Sequence, residues 1–179
     1  MEYQELKLQR RLFKDATTLG VIISRMQVPF LTQSHINMIQ TVQERHSKLL
    51  ILLGVSPDIN MKNPFTFDFR RQMISEYLRE NDLIVPLKDM PKDNLKWVET
   101  VDLLVSSNLV GNEGAVLYGG RGSFIPYYRK DQGIFTTQEL LPEDNDSGTE
   151  LRKVATTKIP KYSKETAEAI IYYIDKINL

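Results

Sequence analysis

Five short apolar runs recur along the chain, at 19–23, 49–55, 83–87, 115–118 and, more weakly, 133–137, with a gap long enough for a helix between each pair. No other feature of the sequence constrains the fold as much. Runs this short, rich in Leu, Ile and Val, read as strands buried on both faces. The gaps repeat apolar residues at helical spacing: Ile36, Ile39 and Val42, then Ile74, Tyr77 and Leu78, then Trp97, Val98, Val101 and Leu104. Strands separated by helices are joined by right-handed crossovers and pair in parallel. The expected fold is α/β and Rossmann-like, a mainly parallel five-stranded sheet flanked by helices. A charged, helical leader is expected over 2–15 and a last amphipathic helix over 163–178, carrying Ala167, Ile170, Ile171 and Ile174. At 179 residues and 41% hydrophobic, the chain suits a single domain, 1–179.

Composition removes several functions. Twenty-three Lys and Arg balance 23 Asp and Glu, so no global field draws in nucleic acid or an anionic membrane, and neither is expected as a partner. Any anion must be held by local groups. There are 0 cysteines and 2 histidines, which argues against thiolate chemistry and a dedicated transition-metal site. His46, among Gln43, Glu44, Arg45 and Lys48, is expected at the surface. The N-terminus lacks a cationic and apolar signal, and no apolar run approaches the roughly 20 residues of a membrane span. A cytoplasmic protein is expected, and the sequence leaves a homo-oligomer open.

In open α/β sheets, ligands bind beyond the carboxyl ends of the strands. The loop after the first strand reads Ser24-Arg25-Met26-Gln27-Val28-Pro29-Phe30-Leu31-Thr32-Gln33-Ser34-His35. It holds no GxGxxG fingerprint, and the chain has no GxxxxGK[ST] loop. Arg25, Gln27, Thr32 and His35 gather instead ahead of a helix whose open N–H groups favour anions. This is a phosphate site built from side chains, or, more simply, Thr32 or Ser34 caps the helix and His35 sits in its first turn. A second stretch, Asp146-Ser147-Gly148-Thr149-Glu150-Leu151-Arg152, spaces Ser147 and Glu150 as a capping box. A cap leaves Gly148, Thr149 and Arg152 without a role. Gly148 would let backbone N–H groups approach a phosphate, and Thr149 and Arg152 can face it together. Two helix N-termini with two arginines suit a polyphosphate.

These residues resemble a known family. The stretch 24–35 resembles the GRxQPFHxGH segment of the nucleotidyltransferase superfamily, whose signature is (H/T)xGH, with Thr32 and His35 at its ends. Residues 146–152 resemble its second signature, the SGTxxR phosphate loop. Asn63-Pro64-Phe65-Thr66-Phe67-Asp68-Phe69-Arg70 is similar to an NPFTxxxR segment, and Asn94-Leu95-Lys96-Trp97-Val98 to an NxxWV segment. Those two typify nicotinamide-mononucleotide adenylyltransferases, in particular the archaeal type and the adenylyltransferase half of bifunctional Nudix enzymes. The likeness runs over about residues 18–178, which leaves no length for a Nudix domain. Two departures stand out: Ser34 replaces a glycine, and two extra residues separate Arg25 from His35.

The resemblance implies transfer of the adenylyl group of ATP to nicotinamide mononucleotide, forming NAD and pyrophosphate, with Mg²⁺ held mainly by the phosphates of ATP. It implies that His35, Arg25 and Arg152 serve the transferring phosphates, and that Gln27, Thr32, Ser147, Gly148, Thr149 and Gly119 complete the ATP site. Trp97 would stack on the nicotinamide ring, with Asn94, Asp89 and Arg70 in the same pocket. Read without the family, Trp97 is a core residue, Arg70 a solvated helix charge and Gly119 part of an ordinary glycine turn. Two other functions stay open: a transferase for another acceptor, such as nicotinate mononucleotide or phosphopantetheine, and a non-catalytic nucleotide sensor of the same fold.

Overall fold

A computed structural model of the protein describes residues 3–4, 17–58, 60, 62–111 and 113–141. The elements run β1 (Thr17–Ser24), α1 (Gln33–Arg45), β2 (Lys48–Val55), α2 (Phe67–Ser75), β3 (Leu83–Lys88), α3 (Asn94–Ser107), β4 (Gly114–Gly119), α4 (Ile125–Lys130) and β5 (Thr136–Glu139). All five strands pair in parallel, in the order β3-β2-β1-β4-β5. The α/β architecture expected from the apolar runs is the one observed. Most of the 2–15 leader, residues 146–152 and the 163–178 helix lie outside the described residues.

Alternation along the central strands divides the core in two. Val21, Ile23, Leu50, Leu52 and Leu117 face Val98, Val101 and Val105 of α3, whereas Ile22, Leu49, Ile51 and Leu53 face Ile39 and Val42 of α1 and Ile74 of α2. With helices on both faces, β2 is buried from Leu49 through Leu53, each at most 1% exposed, which is why it reads as an unbroken apolar run. Pro86 is tolerated in β3 because that strand lies at the sheet edge and has one neighbour.

Three local readings are corrected. The last strand starts at Thr136 rather than at Gly133. Gly133 lies against the ring of Tyr128, where an added Cβ would come within 2.1 Å of Cζ, so it belongs to a packed turn. Tyr77 stays 36% exposed because α2 ends at Ser75, before the helical stripe reaches it. His46 is buried, at 6% exposure, with Nε2 at 2.8 Å from the Tyr118 hydroxyl. Its ring turns inward at the C-cap of α1 beside Gly20, where a Cβ would meet the ring at 2.7 Å, so the charged neighbours in sequence mislead.

At the amino ends of β2 and β3, buried Asp82 accepts from the Leu49 N–H at 2.9 Å, Gln43 Nε2 at 2.8 Å, and the Arg79 N–H and Nη2 at 2.9 Å each. Arg79 in turn donates to the carbonyls of Gln43 and His46. Burial alone would raise the Asp82 pKa, but the hydrogen bonds from Arg79, Gln43 and Leu49 outweigh it and hold the carboxyl below its usual range. Its stabilisation is therefore fully present above the unfolded-state pKa of about 3.9 and is lost as pH falls through the lower folded value. Asp82→Ala should destabilise the protein by about 3 kcal/mol in urea titrations at neutral pH, because Arg79 and the Leu49 amide lose their acceptor. The gap between parent and variant should shrink below about pH 4. A gap that stays constant under acid would assign it to packing instead of charge.

Candidate active site

The strand order reverses between β1 and β4, because the chain builds β2 and β3 on one side of β1 before crossing to the other. The loop after Ser24 and the loop after Gly119 lie beyond the carboxyl ends of those two strands, where open α/β sheets bind ligands. The N-termini of α1 and α3 open at the same edge.

The loop after β1 sorts its side chains by a single left-handed residue. Met26 has φ 43 and is 3% exposed, its side chain in the core, while Arg25 before it faces outward. The turn is closed by the Val28 N–H to the Met26 carbonyl at 2.9 Å. Gln27 then points inward at 6% exposure, donating from Nε2 to the Phe65 carbonyl at 3.1 Å and accepting the Phe65 N–H at Oε1 at 3.0 Å. Expected beside ATP, Gln27 is placed as a strand-like staple to the 63–70 segment.

Thr32 is the N-cap of α1, with φ -75 and ψ 165, and His35 completes a capping box at the third helical position. Thr32 Oγ1 accepts from the His35 N–H at 3.4 Å, and Nδ1 of His35 lies 2.8 Å from Thr32 Oγ1 and 3.3 Å from the Thr32 nitrogen. A backbone N–H can only donate, so Nδ1 is the acceptor and the neutral ring carries its proton on Nε2. The simple capping reading of Thr32 holds, and the cap itself fixes the histidine as an N–H donor at a helix N-terminus.

Arg25 and Arg70 form a second group. Arg25 Nη2 lies 3.1 Å from Asp89 Oδ2 and Nη1 3.3 Å from Asn63 Oδ1, with its side chain 56% exposed. Asp89 follows β3, its N–H bonded to the Val55 carbonyl at 2.9 Å. Arg70 is only 1% exposed, so it is not the solvated charge that its place on a helix suggests. Its Nη1 donates to the carbonyls of Arg25 and Gly54, and Nε to those of Phe65 and Thr66. Burial, then the neighbouring Arg25 charge, lowers its pKa to about 10, with Asp89 opposing; it stays cationic at neutral pH. Thr66 caps α2 by accepting the Phe69 N–H at 3.3 Å. Asn63, Phe65, Thr66 and Arg70 thus tie the first loop to α2.

At the third corner, Asp93 caps α3 by accepting the Lys96 N–H at 3.0 Å, and Asn94 is exposed in its first turn. Trp97 is half-buried: it packs on the α3 side of the core, with its ring centroid 6.0 Å from that of Phe124 at 49°. Gly119 ends β4, and a Cβ there would meet Ser123 Oγ at 2.5 Å and Phe124 Cε1 at 2.9 Å, so the loop after β4 folds tightly over it. Ser147, Gly148, Thr149 and Arg152 lie outside the described residues. The sequence reading gave no role to Asn63, Met26 or Phe124. It also passed over Asp102, a carboxylate on the apolar stripe Val98, Val101, Val105, which is a legible sign of a buried polar contact.

No family model matches the chain. It is 31% identical over 139 residues to the nicotinamide/nicotinic acid mononucleotide adenylyltransferase of Acinetobacter baylyi, a match covering 74% of this chain and 72% of that protein. It is similar to the crystal structure of a bifunctional NMN adenylyltransferase/ADP-ribose pyrophosphatase from Francisella tularensis, complexed with AMP and a Mn ion. That likeness has 23% identity and a TM-score of 0.70, over 90% of this chain and 52% of the other. The NadR protein, in complex with NAD and AMP-PNP, aligns at 15% identity and TM-score 0.56 over 77% of this chain and 42% of that one. The chain thus spans about half the length of the bifunctional structures, and the likeness to the solved structures establishes a shared nucleotidyltransferase fold.

The placement of Arg70 generates a test. Arg70→Met leaves four backbone carbonyls without their cation and should lower stability by about 3 kcal/mol in denaturant titrations. Arg70→Lys should recover little of this, since a single ammonium cannot span carbonyls from three segments. Full recovery by lysine would reduce the interaction to charge alone.

Proposed function

The chain belongs to the nicotinamide/nicotinic acid mononucleotide adenylyltransferase family, and on that premise we propose that it joins nicotinamide mononucleotide to the adenylyl group of ATP. An oxygen of the mononucleotide 5′-phosphate attacks the α-phosphorus of ATP, the bond to the bridging oxygen of the β-phosphate breaks, and NAD and pyrophosphate form. The nucleophile is already an anion, so no general base is required. The protein's task is to align two polyanions in line and to stabilise charge as it moves to the leaving group. The observation that carries this reading is the Thr32–His35 cap, which fixes an imidazole N–H donor at the N-terminus of α1, beside the point where strand order reverses.

In this reading His35 Nε2–H and the first-turn amides of α1 bind the α-phosphate and the departing pyrophosphate, with Thr32 holding the ring. Arg25 joins them by exchanging Asp89 and Asn63 for phosphate oxygens. Its guanidinium side of the ion pair is exposed, so a dianion can reach it and exchange with Asp89. Gly119 keeps the loop after β4 low over the sheet, which leaves room for adenosine. Ser147, Gly148, Thr149 and Arg152 complete the phosphate site. Trp97 offers the face turned away from the core to the cationic nicotinamide ring, with Asn94 and Asp89 beside it. Gln27 and Arg70 act from beneath, holding the loop that carries Arg25.

A divalent cation, Mg²⁺ in this proposal, accompanies ATP and neutralises part of its phosphate charge. Among the described residues no group of three or more His, Cys, Asp or Glu could hold a metal ion. Likewise, no helix among the described residues is long and apolar enough to cross a membrane.

Incubation with ATP, Mg²⁺ and nicotinamide mononucleotide should yield NAD and pyrophosphate, separable by chromatography. A parallel incubation with nicotinate mononucleotide measures the choice between amide and acid. Absence of product with either acceptor, with ATP still bound, would leave a nucleotide sensor. His35→Ala should reduce kcat about a hundredfold or more with a normal melting curve, as expected for loss of a preorganised donor.

Trp97 supplies a second test. As the 1 tryptophan of the chain, it should be quenched by nicotinamide mononucleotide. Trp97→Ala should weaken that substrate by about 1–2 kcal/mol while sparing ATP. A variant that loses stability but binds the mononucleotide normally would return Trp97 to a purely structural role.

A further inference from the structure

Asp102 is fully buried on the core side of α3, between Val98, Val101 and Val105. A carboxylate there demands donors, and an apolar residue would fill the position at least as stably. One donor is the hydroxyl of Tyr3, 99 positions away in sequence, at 2.6 Å from Oδ2. The Tyr128 hydroxyl donates to Oδ1, and the Ile134 N–H reaches Oδ2 at 3.3 Å. The Tyr128 oxygen also accepts the Phe135 N–H at 3.1 Å. Burial, reinforced by Asp102, pushes both tyrosine pKa values far above their usual value, so both hydroxyls remain donors.

The row continues towards the site. The Tyr128 ring is held from below by Gly133, and from the side by Phe124, edge-on at 80° with centroids 6.0 Å apart. Phe124 in turn lies 6.0 Å from Trp97. Tyr3, Asp102, Tyr128, Phe124 and Trp97 therefore form one line of contacts, four of them within 97–128 and one supplied by the N-terminal region.

We propose that Tyr3 is a positioning residue for the acceptor pocket, setting the orientation of Trp97 through Asp102, Tyr128 and Phe124. This rests on the reading that Trp97 stacks on the acceptor's ring. Without the Tyr3 hydroxyl, the carboxylate relaxes towards its other donors, Tyr128 and Phe124 follow, and the indole loses its fixed tilt. The predicted effect falls on the pyridine mononucleotide, because Arg25, Thr32 and His35 have no part in this row.

The test is Tyr3→Phe, which removes one oxygen atom and keeps the ring. Its expected result is a KM for nicotinamide mononucleotide raised about three- to tenfold, the range in which residues remote from a ligand modulate its site, with the KM for ATP and kcat near parental. The Trp97 emission of the free protein should shift, and its quenching by the mononucleotide should weaken. Asp102→Asn, which keeps the shape but replaces one acceptor oxygen with an NH2 donor, should move the same readouts in the same direction. A Tyr3→Phe protein with parental Trp97 emission and parental KM for the mononucleotide overturns the proposal, even if it melts at a lower temperature. If the parent forms no dinucleotide at all, the functional reading falls, while the emission of parent and variant still decides whether Tyr3 sets Trp97.

Discussion

A parallel sheet that ends beneath loops leaves backbone carbonyls at its carboxyl edge with no further strand to pair them, and here one buried guanidinium meets that need. Arg70 gathers the carbonyls of Arg25, just after β1, and Gly54, one residue before the end of β2, together with those of Phe65 and Thr66 before α2. Buried carbonyls without donors are costly, so this position requires several donors in a fixed plane. The consequence is geometric. With the Arg25 carbonyl held inward, its side chain must leave the sheet on the other side. The chain turns there through the left-handed conformation of Met26, and Gln27 points back to Phe65.

The same cation sets the electrostatics of the edge. Arg70 is desolvated and its charge is opposed by Arg25, so two cations lie close together with Asp89 as the nearby anion. The Arg25 guanidinium is the exposed member of its pair with Asp89, and a phosphate dianion offers it more charge than one carboxylate does. At the opposite end of the sheet, Asp82 and Arg79 are closed on each other and on backbone groups. The Arg25–Asp89 pair thus lies at the carboxyl end of the sheet and the Asp82–Arg79 cluster at its amino end.

How much of this was legible in the sequence depends on whether a signal is local. Strands β1 and β2 were readable because burial on both faces imposes an unbroken apolar run, and the helical stripes of α1 and α3 because their spacing is intrinsic to the helix. The Thr32 cap was readable for the same reason. Arg70, His46 and Asp102 were misread or passed over because each is surrounded in sequence by residues that face water, or by apolar residues that hide it. Their destinations are decided by partners far along the chain: Gly54 and Arg25 for Arg70, Gly20 and Tyr118 for His46, Tyr3 and Tyr128 for Asp102. Gly133 belongs with them, since the ring of Tyr128 and not a strand register accounts for it.

The structure also changes what the two readings of a motif mean. Capping and ligand binding had looked like rival explanations of Thr32 and His35, but they use different atoms. The cap engages Nδ1 through the Thr32 N–H, whereas the phosphate contact proposed above uses Nε2. Trp97 divides in the same way, with part of the indole on the core and part exposed, and Arg25 divides between a carbonyl held by Arg70 and a half-exposed guanidinium paired with Asp89. Ser34 fits this logic too. It lies inside α1 with no positive φ, so the backbone does not require glycine there. The left-handed demand of this loop falls on Met26, in the very stretch between Arg25 and His35 that is longer than the family's pattern.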